Sequence, residues 1–330
     1  MAAHVTADGR SRYQLAPGDS LDGYDIRTVL SRGGMGCVFK ACERATGRTV
    51  VLKVPHLHLE SDVAFYSRFE REERIGLRLR HPSIAAVAAV SGKSRPYLVM
   101  EYVEGRSLYE IARTEGRLPE ARVLEIGRHI CEALVYIHAQ GVVHRDLKPE
   151  NVVVDADGGV HIVDFGVALD FSSRRLTWGR FSSRIGTPEY MSPEQIRGRR
   201  GDDRVDLYAL GLILYELIAG AAPYEAPTVA ALLRVRVDRE ARPLSDVAPE
   251  VDANVARVIM RALALDPRDR YANASQMLTS LEDPASDTPL PARERIRWSM
   301  TLVDRAKQIG VWSAVLAVLA ALVWLGGRPR

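Results

Sequence analysis

At 330 residues the chain is long enough for two domains or one large bilobal one, and its 47% hydrophobic and 26% charged content is ordinary for a globular protein. A net charge of +3, with arginines scattered and not gathered into a stripe, gives no ground for a nucleic-acid partner. Three cysteines, Cys37, Cys42 and Cys131, without CxxC spacing, fit neither a disulfide framework nor a zinc site and point to a reducing cytosol.

Taken in chain order, residues 1–20 open on MAAHVTADGRSRYQ, which lacks the apolar core of a signal peptide and reads as a disordered leader. Residues 22–55 alternate β-rich runs with turns: YDIRTVL, the glycine stretch LSRGGMGCVF, CVFKACE, a TGR turn, then TVVLKV. The pattern is strand, loop, strand, turn, strand. A dinucleotide-binding loop would lead straight into a helix, so that reading is excluded. Residues 62–79 set Val63, Tyr66, Phe69 and Leu77 among charges, which predicts an amphipathic helix starting near Ser61. PYLVMEYV then closes a β-rich region.

Helical patterns follow. Val123, Ile130, Leu134 and Ile137 recur at helical spacing before a stop at Gly141, and DLYALGLILYELIAG (206–220) predicts a central buried helix, since it carries Asp206 and Glu216 and is too short for a membrane span. A polar, proline-bearing linker (284–307) leads to residues 308–327, which hold no charge. Twenty helical residues at about 1.5 Å each span the roughly 30 Å of a bilayer core. Trp312 and Trp324 lie near its ends; five basic residues (Arg293, Arg295, Arg297, Arg305, Lys307) precede it, and only Arg328 and Arg330 follow. The expectation is a single C-terminal transmembrane helix, with the bulk of the chain on the cytoplasmic side of the inner or plasma membrane and 328–330 as a short external tail. A buried core helix or a membrane-surface helix is the alternative.

Chemistry concentrates in three motifs: HRDLKPEN (His144–Asn151), DFG (Asp164–Gly166) and GTPEYMSPE (Gly186–Glu194). With these residues, in this order, the chain resembles the eukaryotic-type (Hanks-type) protein kinases, and more narrowly their bacterial serine/threonine members. The resemblance covers about Leu21 to Leu281. It implies an α+β, bilobal protein-kinase fold over 21–283, with a β-rich N-lobe carrying one main helix (21–103) and an α-rich C-lobe (104–283).

It also implies roles. Asp146 would accept or orient the acceptor hydroxyl's proton, and Lys148 would set a positive charge near the γ-phosphate. Asn151 and Asp164 offer oxygen ligands suited to Mg²⁺, with Mn²⁺ as a substitute, bridging the phosphates of ATP. Lys53, in VVLK, matches the strand lysine that holds the α- and β-phosphates; among Glu70, Glu72 and Glu73, the family's spacing to His81-Pro82 selects Glu72 as its partner. The glycine-loop pattern GxGxxGxV falls on Ser31, Gly33, Gly36 and Val38, with Gly34 between, so the first glycine is replaced. Val51 stands where the family has alanine, and Val38, Val51 and Val153 would sandwich the adenine. Met100 matches the gatekeeper, and Glu101 and Val103 the hinge whose backbone bonds adenine.

In residues 164–194, the activation segment, Thr177, Ser182 and Ser183 are candidate phosphate acceptors and Arg145 a candidate partner for that phosphate. Thr187 is expected to bond Asp146 and Lys148, Glu194 to pair with Arg270, and Asp206 to brace the catalytic loop. Cys37 is expected to be a semi-exposed inert thiol, and His56 and His58 solvated loop residues. The implied function is a membrane-anchored kinase using ATP and Mg²⁺ on Ser/Thr hydroxyls of protein substrates, its own activation segment included, with self-association at the membrane favouring phosphorylation between neighbours. An ATP-binding pseudokinase or scaffold is the alternative, and a small-molecule kinase of related fold the more distant one.

Overall fold

A computed structural model describes residues 15–164, 169–170 and 188–287, all within one compact unit that ends at Asp287. The expectations for leader residues 1–14, for Thr177, Ser182, Ser183 and Thr187, and for the apolar span 308–327 lie outside the described residues; the last part of the expected leader, 15–20, is instead part of the fold, because Ala16 is buried, the Gly18 amide donates to the Ile26 carbonyl (2.9 Å) and Ser20 begins the first strand. Among the described residues no helix is long and apolar enough to cross a membrane.

The amino-terminal part is an antiparallel sheet of six strands in the order β1-β2-β3-β4-β6-β5. These are β1 (Ser20–Leu21), β2 (Tyr24–Arg32), β3 (Gly36–Glu43), β4 (Thr49–Pro55), β5 (Val87–Ala88) and β6 (Leu98–Glu101). Strand alternation sorts its side chains onto two faces. Cys37, Phe39, Ala41, Val50, Leu52, Val54, Tyr97 and Val99 build one buried layer. The register places Val38 opposite Lys53, Lys40 opposite Val51 and Val51 opposite Met100, so these residues share the other face. Cys37 is therefore buried (5% exposed), not semi-exposed, because it alternates with Val38 and so falls on the sheet face opposite the one that carries Val38, Val51 and Lys53.

A short helix, α1 (Leu57–Glu60), precedes α2 (Val63–Arg78). The N-cap of α2 is Asp62, whose Oδ1 accepts from the amides of Ala64 and Phe65 (2.9 and 3.1 Å). Its buried stripe is Phe65, Phe69, Glu72 and Ile75, continued by Leu79 just past its end, whereas Val63 and Tyr66 are 80% and 40% exposed. The sequence pattern was phased on the wrong residue: Val63 lies two positions before Phe65, about 200° round the helix at 3.6 residues per turn. At Gly76 a Cβ would come within 2.3 Å of the Val87 side chain, so glycine lets α2 press against β5.

The carboxyl-terminal part is helical: α3 (Leu108–Glu115), α4 (Glu120–Ala139), α5 (Pro193–Ile196), α6 (Arg204–Ala219), α7 (Val229–Asp238), α8 (Ala253–Ala262) and α9 (Ala274–Glu282). Short strand pieces lie between α4 and α5: β8 (Val142–Val143), β9 (Val152–Asp155), β10 (Val160–Ile162) and β11 (Leu169–Asp170), and β7 (Gly105–Ser107) joins β9 and β10 in a three-stranded sheet. Helix α6 is buried nearly all round, as its uniformly apolar sequence predicts, and ends on Gly220 in the left-handed region (φ +66°). Its buried exception is Asp206, which reaches into the site described next.

Candidate active site

The loop 144–151 is held by its backbone. Asp206, fully buried, accepts from the amides of His144 (2.9 Å) and Arg145 (2.7 Å) and from His138 Nε2 (2.8 Å). Burial alone would raise its carboxyl; the His138 hydrogen bond and the other donors outweigh it and hold Asp206 below the usual aspartate value. Arg145 sits at φ +68°, a conformation that costs a non-glycine residue energy and persists only where the surroundings fix it. They do so here: Gln195 Nε2 donates to the Arg145 carbonyl (3.1 Å), and the guanidinium donates to the carbonyls of Arg200 (2.7 Å) and Gly201 (3.4 Å).

That pinned turn presents Asp146. Lys148 Nζ lies 3.2 Å from its Oδ2, and Asn151 Nδ2 donates to the Asp146 carbonyl (2.9 Å) and more weakly to Oδ2 (3.4 Å). Asn151 thus spends its amide donors on the loop and keeps Oδ1 as an acceptor. Its own carbonyl accepts from the Val163 amide (3.0 Å), which sets residue 151 beside the strand end that leads to Asp164. The carboxylate of Asp164 and the amide oxygen of Asn151 form an oxygen donor set that suits a hard divalent cation, and these two residues would hold it.

Lys53 joins the two parts of the site. Its Nζ donates to Glu72 Oε1 at 2.6 Å and to Asp164 Oδ1 at 2.7 Å, uniting β4, α2 and the strand end after β10. Burial opposes the lysine's charge, but Asp164 and then Glu72 attract it, and its pKa rises above the ordinary value. Burial drives the Glu72 carboxyl upward. It would do the same to Asp164, but the charge and hydrogen bond of Lys53 push that carboxyl down and keep it anionic. The other two acids on α2 go elsewhere: Glu73 pairs with Lys93, and Glu70 is exposed.

Over this cluster the glycine turn is closed by a Gly33 amide to Gly36 carbonyl bond (2.9 Å). Only Gly36 is sterically obliged to be glycine, since a Cβ there would meet the Val54 carbonyl at 2.3 Å, while one at Gly34 meets nothing within 4 Å. Ser31 lies in β2, paired with Val38, and has no positive φ, so the missing first glycine costs the backbone nothing here. Val38, Val51 and Val153 are each half-buried. Met100 is buried (7% exposed), and Glu101 exchanges hydrogen bonds with residue 86: its amide donates to the Ala86 carbonyl (2.8 Å) and its Oε2 accepts from the Ala86 amide (3.2 Å).

Further from the cluster, Arg270 meets Glu194 through two parallel bonds of 2.8 and 2.9 Å, both residues being buried. Three contacts escaped the sequence: His138 to Asp206, Gln195 to Arg145, and His56, whose Nε2 lies 2.8 Å from the Gly33 carbonyl. His56 is therefore not simply solvated, although His58, whose ring stacks on it (centroids 5.7 Å apart), is exposed. Nothing in a sequence pairs a helical histidine with an aspartate 68 positions away.

Residues 24–281 match a family described as the protein kinase domain. A probable serine/threonine-protein kinase of Corynebacterium efficiens is 39% identical over 79% of this chain and 41% of its own length. The serine/threonine-protein kinase PknB of Mycolicibacterium smegmatis is 36% identical over 94% of this chain and 56% of its own length. The chain thus spans about half the length of these relatives. Among solved structures, the kinase domain of Mycobacterium tuberculosis PknI superposes with a TM-score of 0.63 at 28% identity, covering 82% of this chain and 99% of that one.

Proposed function

Because the chain belongs to the protein kinase family, as a relative of bacterial serine/threonine kinases, we propose that it transfers the γ-phosphate of ATP, with Mg²⁺, to serine and threonine hydroxyls of proteins. The observation that carries this reading is Lys53 held between Glu72 and Asp164, with Asp146, Lys148 and Asn151 gathered on one pinned loop. Bound Mg²⁺-ATP supplies the phosphoryl group and the cation that neutralises its charge. The protein's share is placement. Lys53 would contact phosphate oxygens, Asp164 and Asn151 would hold the cation, Asp146 would take or orient the hydroxyl proton, and Lys148 would set a positive charge beside the moving group.

Incubating the chain with labelled ATP and Mg²⁺ and a generic protein acceptor is expected to label the acceptor and the chain itself, and Lys53→Met to remove about 99% of the incorporation or more. No label with the parent chain would leave a nucleotide-binding scaffold as the reading, and label on a small-molecule acceptor alone would point to the small-molecule kinases.

The uncharged run 308–327, flanked by tryptophans and preceded by basic residues, supports a second element of the proposal: it anchors the kinase domain to the cytoplasmic face of a membrane, where neighbouring copies phosphorylate one another. Deleting residues 309–330 is then expected to move the protein from the membrane pellet to the supernatant; a truncated chain that still sediments with membranes would end the anchor assignment.

A further inference from the structure

Besides the chemistry at Lys53 and Asp146, the end of β4 carries a contact that bears on how the nucleotide's phosphates are met. The glycine turn is docked on residues 54–56 at three points. Gly36 pairs with Pro55 in the strand register, and its Cα approaches so closely that only glycine fits. The His56 amide donates to the Met35 carbonyl (3.2 Å). His56 Nε2 contacts the Gly33 carbonyl at 2.8 Å; a carbonyl can only accept, so that nitrogen carries the proton. The exposed His58 ring stacks on the imidazole, inclined by 16° with centroids 5.7 Å apart. Met35 in turn packs against Phe65, Phe69 and Leu98, which ties the same turn to the helix that carries Glu72.

The bond to Gly33 has a directional consequence. The Gly33 carbonyl and the Gly34 amide belong to one planar trans peptide unit and point in opposite directions. Fixing the carbonyl on His56 therefore fixes the Gly34 N–H facing away from the imidazole. Among the described residues nothing accepts that N–H, and a Cβ at Gly34 would meet nothing within 4 Å. Without the imidazole, the 33–34 peptide loses the one side-chain contact on its carbonyl and is held only through its neighbours, by the Gly33 amide on Gly36 and the Met35 carbonyl on the His56 amide, while neither glycine has a side chain to restrain it.

We propose that His56 is a positioning residue for the nucleotide: by holding the Gly33 carbonyl it aims the Gly34 N–H at a phosphate oxygen. This rests on reading the cleft as an ATP site. Its mark is selectivity for the phosphate end of the ligand, because the contact lies on the turn and not on the valines that face adenine.

The test measures binding of adenosine and of a non-hydrolysable ATP analogue with Mg²⁺ to the full 330-residue chain and to its H56A and H56Q variants, alongside KM for ATP and kcat. Losing one hydrogen-bonded orienting contact is expected to weaken the analogue and raise KM about threefold to tenfold in H56A. Adenosine affinity stays unchanged, and H56Q, whose side-chain amide can donate to the same carbonyl, recovers to within about twofold of the parent. Equal weakening of adenosine and analogue, no change in either, or a glutamine variant as weak as the alanine one would each overturn the proposal. A parent chain that binds neither ligand would take the ATP-site reading down first, and this inference with it.

Discussion

Replacing Asp146 by asparagine is expected to lower kcat for phosphate transfer by about 10²- to 10⁴-fold while nucleotide affinity changes by less than about threefold. The side chain keeps its size, and the loop that carries it is fixed by groups the change does not touch: Asp206 on the amides of His144 and Arg145, and Gln195 on the Arg145 carbonyl. What disappears is the anionic oxygen that can take or orient a proton, together with the charge facing Lys148 at 3.2 Å. An interaction that matters only while the hydroxyl is attacking shows in kcat and not in binding. Single-turnover transfer to a saturating protein acceptor, beside equilibrium nucleotide binding, separates the two. An unchanged kcat would place the proton acceptor elsewhere, and a parallel collapse of binding would mean that Asp146 holds the loop together.

The contrast between Asp146 and its supports explains how much of the site was legible in the sequence. Residues that act on the same short segment of chain were readable, because a role and an offset define them together: Asp146, Lys148 and Asn151 lie within six positions, and the structure brings them within hydrogen-bonding distance of one another. The strand pattern likewise gave a glycine turn followed by strands, and the apolar run 206–220 gave a buried helix. Three differences from the sequence reading have separate causes. The phase of α2 was misjudged because its apolar residues fit two registers and only the Asp62 cap, with the packing of Phe65 and Phe69, selects one. Cys37 differs because its neighbours in sequence report only that it lies on a strand, whereas its alternation with Val38, which faces Lys53, puts it on the buried face. The contacts of His56, His138 and Gln195 are made between segments distant in sequence or to backbone carbonyls, and no periodicity reports either.

Stability gives the second large effect, at the Glu194–Arg270 pair. Arg270 is 2% exposed and Glu194 6% exposed, and the two side chains meet through paired bonds of 2.8 and 2.9 Å. Removing one member of a buried pair costs about 3–5 kcal/mol, because the charge left behind has lost both water and partner. The two halves of the pair are not equivalent. With Glu194→Ala, the guanidinium keeps the carbonyls of Ala264 (2.8 Å) and Arg204 (3.2 Å) and its place 4.6 Å over the Tyr208 ring. With Arg270→Ala, Glu194 is stranded, those carbonyls lose their donor, and a cavity opens beside α6. Arg270→Ala is therefore expected at or above the upper end of that range, Glu194→Ala near the lower end, and the double variant well short of the sum. Urea unfolding with an unchanged m-value, applied to both single variants and the double, tests the ordering. A cost below about 1 kcal/mol for Arg270→Ala would show that water reaches the pair and screens it as it does at a surface. Additive single costs would show that the two residues act on the fold separately, and the link between the segment that begins at Pro193 and the turn before α9 would then have to come from apolar packing alone.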